Sequence, residues 1–305
     1  MIAENCHNLK IHFAGGESLI RSNLILRGIE SKYVLFTIFP YLADSFGIKH
    51  GYQRGKEGYK EIVANNLKHS KHSIQDSGIF SLVFGAAKSN WSKEFIDSWY
   101  HKLVELTLEE NFTGSVVEVD SQKLFGVENA WYYRERMRRD LPNNRIINVF
   151  HLEDGQKGLD RLIEFSDYIA LSIPELRFSG KRSYVEKIAH YVKNKKPEID
   201  IHLLGCTENK LMRNLSFCSS ADSTSWTAFN KFGFFRYNNG NKTFTVKKGL
   251  LNKDVLREQY YDRAIELMEM SGLKKTEGMI FYNACHLLQL EYLMKQYTHY
   301  AGPQD

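Results

Sequence analysis

Eight short apolar, β-branched runs recur along the chain, each trailed by a stretch with helical spacing, and this alternation is what most constrains the fold. The runs are Ile11–Ala14, Tyr33–Phe39, Ser73–Gln75, Ser115–Val119, Ile146–Phe150, Tyr168–Ile173, Ile199–Leu204 and a weaker one at Ser219–Ser223. They are near-continuously hydrophobic, as strands buried on both faces are. Between them, Tyr59–Leu67, Trp91–Leu108, Ala130–Arg139, Leu159–Phe165, Ser183–Lys193 and Glu208–Phe217 place apolar residues near the 3.6-residue period. Ser183 and Thr207 are suited to cap the helices they precede. Strands alternating with helices predict an α/β fold, a closed (β/α)8 barrel.

The pattern changes after residue 230. FGFFRYNNGNKTFTVKKG reads as a hairpin turning at Asn238–Gly240, and two helices follow near Lys253–Met270 and Glu277–Tyr297. The reading is a catalytic barrel over 1–230, with 231–305 a hairpin and helical appendage packed on it. Charge and cysteine usage narrow the class. Lys plus Arg exceed Asp plus Glu by 41 to 36, a mildly basic balance that permits a nucleic-acid partner. The four cysteines, at 6, 206, 218 and 285, form no C-x-x-C pair. They read as reduced thiols of a cytoplasmic protein, and a zinc site built on Cys206 and Cys218 is disfavoured for want of paired spacing. No apolar run reaches membrane-spanning length, and the start lacks a secretory pattern.

In such a barrel, chemistry sits where strands end. Three predicted strands end on an aspartate: Asp76 in IQDSGIF, Asp120 in VVEVDSQ and Asp222 in SSADSTSW; a fourth ends on His151. Carboxyl groups gathered at a barrel mouth repel one another and lie partly out of water, which splits them into a protonated acid and an ionised nucleophile. The bland alternative is that each caps the next helix or makes an Asx turn. The tight turn Ala14-Gly15-Gly16-Glu17 fits neither phosphate-binding glycine motif. The loops CTENK and STSWTAFN after the last strands lack the glycines of a sugar-phosphate barrel.

Asp76-Ser77-Gly78-Ile79-Phe80-Ser81 resembles the D-S-G-G-F-Q signature of the guanine transglycosylases, which exchange bases in tRNA. Val119-Asp120-Ser121 is similar to that family's F-D-E, and Ala170-Leu171-Ser172-Ile173-Pro174-Glu175 to its G-G-L-x-x-G-E. His202-Leu203-Leu204-Gly205 followed by Ala221-Asp222-Ser223 is similar to its L-M-G … D-x-F-D-C order. The resemblance covers about residues 70 to 230. It implies Asp222 as nucleophile and Asp76 as acid/base. Asp120, Ser77, His151 and the backbone around Ser172 and Ile173 would contact the base. The family's zinc-binding C-x-C-x-x-C is missing, so no metal or other cofactor is expected, and P-T-R after the nucleophile is replaced by Ser223-Thr224-Ser225.

A short, zinc-less chain looks most like the phage enzymes that insert 7-deazaguanines into DNA. The partners implied are DNA, or tRNA as the alternative, and a free 7-deazaguanine base, in the cytoplasm of the host if the chain is phage-encoded. A homodimer or a duplex-opening helper stays open. Basic residues interleaved with aromatics suggest phosphate clamps at Arg134, Arg136, Arg138 and Arg139, and at Lys242, Lys247 and Lys248 on the hairpin. A solvated helix face is the competing reading of the arginines.

Overall fold

The computed structural model describes residues 9–49, 54–83, 89–206, 208–227, 234–239, 242–247, 266, 269, 277–302 and 304. Eight parallel strands close into a barrel in sequence order: β1 (Lys10–Ala14), β2 (Tyr33–Thr37), β3 (His72–Asp76), β4 (Ser115–Val117), β5 (Ile146–Phe150), β6 (Tyr168–Ser172), β7 (Asp200–Leu204) and β8 (Ser220–Ser223). The (β/α)8 fold read from the alternation is the fold observed. Closure comes where β1 pairs with β8, His12 opposite Asp222.

The surrounding helices are α1 (Leu19–Asn23), α2 (Gly55–His69), α3 (Lys93–Glu109), α4 (Val127–Asp140), α5 (Gly155–Phe165), α6 (Ile173–Phe178), α7 (Tyr184–Lys195), α8 (Asn209–Asn214) and α9 (Glu277–Ala301). The Ser92 hydroxyl accepts from the Phe95 amide and caps α3, worth about 1 kcal/mol. Ser183 stands at the N-cap position of α7 but its side chain makes no capping bond. Thr207 lies outside the described residues, and Glu208 holds the corresponding place before α8.

A strand's period of two decides what fills the barrel. Ala14, Leu35, Ile74, Val117, Ile147, Val149, Tyr168 and Ala170 form its apolar filling. The same parity turns His72, Ser115 and Ser220 inward at the amino ends of their strands, and His12 and His202 at mid-strand. It places Thr37, Asp76, His151, Ser172 and Asp222 at the carboxyl ends. Two larger apolar clusters fill the space between strands and helices.

β9 (Phe234–Asn239) and β10 (Lys242–Lys247) form the expected hairpin, Asn239 opposite Lys242. The predicted helix over 253–270 falls outside the described residues, apart from Glu266 and Glu269. Helix α9 packs on α8, on Leu24–Gly28 and on β1, the place an eighth barrel helix takes. Leu287, Leu290 and Tyr297 join the barrel's own core cluster, and the Tyr297 hydroxyl hydrogen-bonds Ser223 at 2.8 Å. The hairpin is thus an insertion between β8 and the helix that completes the ring. Among the described residues, no helix is long and apolar enough to cross a membrane.

Candidate active site at the carboxyl ends of the strands

A cavity of about 550 Å³ opens at the carboxyl ends of β3 to β7. Its walls include Asp76, Ser77, Phe80, Asp120, Lys123, His151, Ser172, Glu175, Phe178 and Leu204. Five of the residues expected to act therefore share one cavity: Asp76, Asp120, Ser77, Ser172 and His151.

Asp76 ends β3, and its Oδ1 accepts from the Thr37 hydroxyl and the Gly78 amide, each at 2.9 Å. The second bond is an Asx turn, so the structural role weighed for this residue is real. Gly78 sits at φ +79°, and a Cβ there would lie 3.1 Å from both Phe39 and Trp99, which accounts for the glycine in Asp76-Ser77-Gly78. Burial raises the Asp76 pKa. The Gly78 and Thr37 donors oppose this, while the Asp222 and Asp120 carboxylates add to it. The raised side prevails, which makes Asp76 a weaker acid.

His151 ends β5 between two carboxylates: Nε2 lies 2.8 Å from Asp120 Oδ2, and Nδ1 lies 2.6 Å from Glu175 Oε2. Both ring nitrogens must donate, so the ring is an imidazolium. Burial opposes that charge, but Asp120 and Glu175 outweigh it and lift the pKa to about 10. Burial would likewise raise Glu175, yet His151 and Lys123 hold it down at about 2. The Lys123 ammonium continues the line, pairing with Glu175 at 2.9 Å and with Glu153. Carboxylates and cations thus alternate from Asp120 to Glu153. His151, Glu153 and Glu175 bring ligand-type atoms within 4.8 Å of one another. The Lys123 ammonium already supplies the positive charge those two glutamates face.

One atom in this line has no partner. Asp120 Oδ2 is fixed by His151, while Asp120 Oδ1 is buried without a hydrogen-bond donor. A buried acceptor left bare costs about 1–3 kcal/mol unless something fills it.

Asp222 lies beside this cavity rather than on its wall, 7% exposed. Its Oδ1 accepts from the Gly205 amide at 2.6 Å and faces His202 Nε2 at 3.2 Å. Oδ2 has no hydrogen-bond partner among the described residues, so one oxygen is anchored and the other is open. Gly205 adopts φ +66°, and a Cβ there would meet Pro174 at 2.9 Å. That fixes a glycine after Leu204 and delivers its N–H to Asp222. Behind Asp222, His202 Nδ1 hydrogen-bonds Ser220 at 2.6 Å, and Ser220 hydrogen-bonds Tyr168 at 2.5 Å.

The other expected residues are distributed differently. The Ile173 side chain is buried in the core and offers a ligand no side-chain contact. Arg134 is a correction: it is 1% exposed, its Nε 3.0 Å from both Glu118 oxygens and its Nη2 2.8 Å from the Val149 carbonyl. It ties α4 to β4 and β5 and cannot reach a phosphate. Arg136 pairs with Asp97 at 2.5 Å. Arg138 donates to the Phe165 carbonyl and Arg139 pairs with Asp140, in the last turn of α4, which leads to the amino end of β5. That is the end of the barrel opposite the cavity. Lys242 and Lys247 begin and end β10; Lys248 lies outside the described residues. Cys206 and Cys218 are buried free thiols.

Glu175, Lys123 and Glu153 were not singled out from sequence, and neither was His202 as a partner of Asp222. Glu175 stands three residues past Ser172, whose hydroxyl accepts its amide at 3.4 Å at the start of α6. That N-capping spacing was the available signal. The His202–Asp222 contact joins neighbouring strands and leaves no local pattern. Comparison with models of known protein families, and with curated proteins, finds no match.

Proposed function

We propose that this chain is a guanine transglycosylase that exchanges guanine in DNA for a 7-deazaguanine base. The observation that carries the reading is the bare Asp120 Oδ1. A cavity-lining carboxylate with one oxygen locked by an imidazolium and the other buried without a donor is suited to a ligand edge rich in N–H groups. The amide and amino edge of guanine is such an edge.

The remaining groups fit a double displacement with retention. The open Asp222 oxygen attacks the anomeric carbon, and the bond from that carbon to the base nitrogen breaks with its electrons going to the base. Asp76, made a weaker acid by burial, gives its proton to the departing base. It then takes a proton from the incoming base as that nitrogen attacks the same carbon and frees Asp222. Asp222 is held by Gly205 and His202 so that attack costs little reorientation.

The test is incorporation of isotopically labelled guanine into duplex DNA, single-stranded DNA and tRNA, side by side. Label in DNA, with a covalent protein–DNA adduct lost in Asp222→Ala, is the expected result. Label in tRNA alone would keep the chemistry and change the polymer. No label and no adduct in any polymer would overturn the reading.

A further inference from the structure

We infer that the segment Arg177 to Tyr184, from the last turn of α6 through the following loop to the start of α7, is the strand-holding lip of the site, gripping the phosphodiester backbone of a single DNA strand whose base occupies the cavity. The inference rests on the proposed function and adds where the polymer is held.

Two rim residues of the cavity, Phe178 and Ser179, are bracketed in sequence by Arg177 and Lys181. Phe178 is 81% exposed and Phe80, across the same cavity, 64%. Neither Arg177 nor Lys181 forms an ion pair with any described residue, whereas Arg182 is tied to Glu208. Arg177 lies 5.1 Å from the Phe178 ring centre and Lys181 lies 5.2 Å from that of Tyr184. Cations interleaved with exposed aromatic faces are the composition of a surface that tracks a single strand by phosphate pairing and base stacking.

The backbone of the loop is held in place. The Gly180 amide donates to the Arg177 carbonyl at 3.1 Å and the Lys181 amide to the Leu176 carbonyl at 2.7 Å, a Schellman motif with Gly180 left-handed. Tyr184 donates back to Lys181 at 2.8 Å, and Leu176 is buried below. Arg177 and Phe178 are therefore presented on ordered backbone, which lowers the entropy cost of binding. A nucleotide turned out of a strand into the cavity carries its flanking phosphates past this rim. Arg138 and Arg139 of α4, by contrast, lie at the other end of the barrel.

The test is fluorescence anisotropy of a labelled single-stranded oligodeoxynucleotide, titrated with the protein over a range of salt concentrations. Each phosphate contact contributes roughly 0.7 to the slope of log affinity against log salt for single strands. Arg177→Ala with Lys181→Ala should flatten that slope by about 1.4, and Phe178→Ala should weaken binding about tenfold. Arg138→Ala with Arg139→Ala should leave both quantities unchanged. All these side chains are exposed, and matching thermal melts verify the fold. If the wild type binds the strand but the lip variants bind with unaltered slope and affinity, the lip is wrong and the function stands. If the wild type binds no polynucleotide at any salt, the proposed function falls and the lip with it.

Discussion

Two layers of the same barrel interior treat histidine in opposite ways. At the carboxyl ends, His151 sits between Asp120 and Glu175 and is driven to carry charge, its pKa at about 10. Toward the amino ends, His12 and His72 meet each other at 2.9 Å, and His72 meets the Ser115 hydroxyl, also at 2.9 Å. Burial, with the neighbouring imidazoles, drives His12 well below its ordinary value. Burial with Arg145 nearby brings His72 to about 4. Burial is common to both layers, so it is the partners that decide the outcome: carboxylates above, hydroxyls and neutral rings below. Asp222 is the junction, open to the upper layer through one oxygen and tied through His202 to the Ser220–Tyr168 chain of the lower.

The largest effect expected is at that junction. Asp222→Ala should lower base exchange by about 10⁴-fold or more and abolish the covalent adduct while the barrel stays folded. Asp76→Asn should reach a similar loss of turnover; normal exchange by that variant would remove it from the acid/base role. Next is a paired substitution across the layers. His151→Leu strands two carboxylates and should cost about 3 kcal/mol in denaturant unfolding. His12→Leu removes a neutral ring whose Nδ1 has no partner, and should cost nearer 1 kcal/mol. Equal losses would break the contrast.

A pH series sharpens the contrast further. The depressed His72 binds its proton less readily folded than unfolded. Its contribution is therefore complete above about pH 6.5 and is lost on acidification toward pH 4, up to about 3 kcal/mol. His151, raised in the folded state, stabilises fully below about pH 6.5, and its share disappears as pH climbs through 10. Unfolding of His72→Asn across pH 4–7 should show a flatter acid limb than wild type. The smallest effect concerns His202. His202→Leu should lower kcat about tenfold with KM steady, and His202→Gln, which keeps a donor, should recover part of it. A change confined to KM would argue against a positioning role.

The barrel was legible because its signal is local. Each strand is a run of adjacent residues, and even β8, the weaker run, was read between a helical stretch and a serine-rich loop. Asp76, Asp120 and His151 were legible for the same reason: each ends a run, and strand parity then sends Asp76 and His151 inward. The role of α9 was not, because 277–301 reads as an ordinary helix and only packing on α8 and β1 shows that it completes the ring. Arg134 misled because a helical arginine run looks solvated until its face is known. Its partners, Glu118 just past β4 and the Val149 carbonyl in β5, are distant from it in sequence. The Arg177–Tyr184 segment escaped because its free charge is defined by which neighbours lack acids.

The position of α9 bears on how the chain can be made. Just beyond it, Gln304 accepts from the Ile11 amide at 2.7 Å across a separation of 293 residues, and donates to the Leu9 carbonyl at 3.0 Å. β1 leaves the ribosome early, yet its partner strand β8 and the helix that covers it are synthesised far later. Until then the nascent sheet has two unpaired edges, the condition under which strands join the wrong chain. The seam between β1 and β8 is thus the slowest part of the molecule to become safe, a cost set by the order of synthesis.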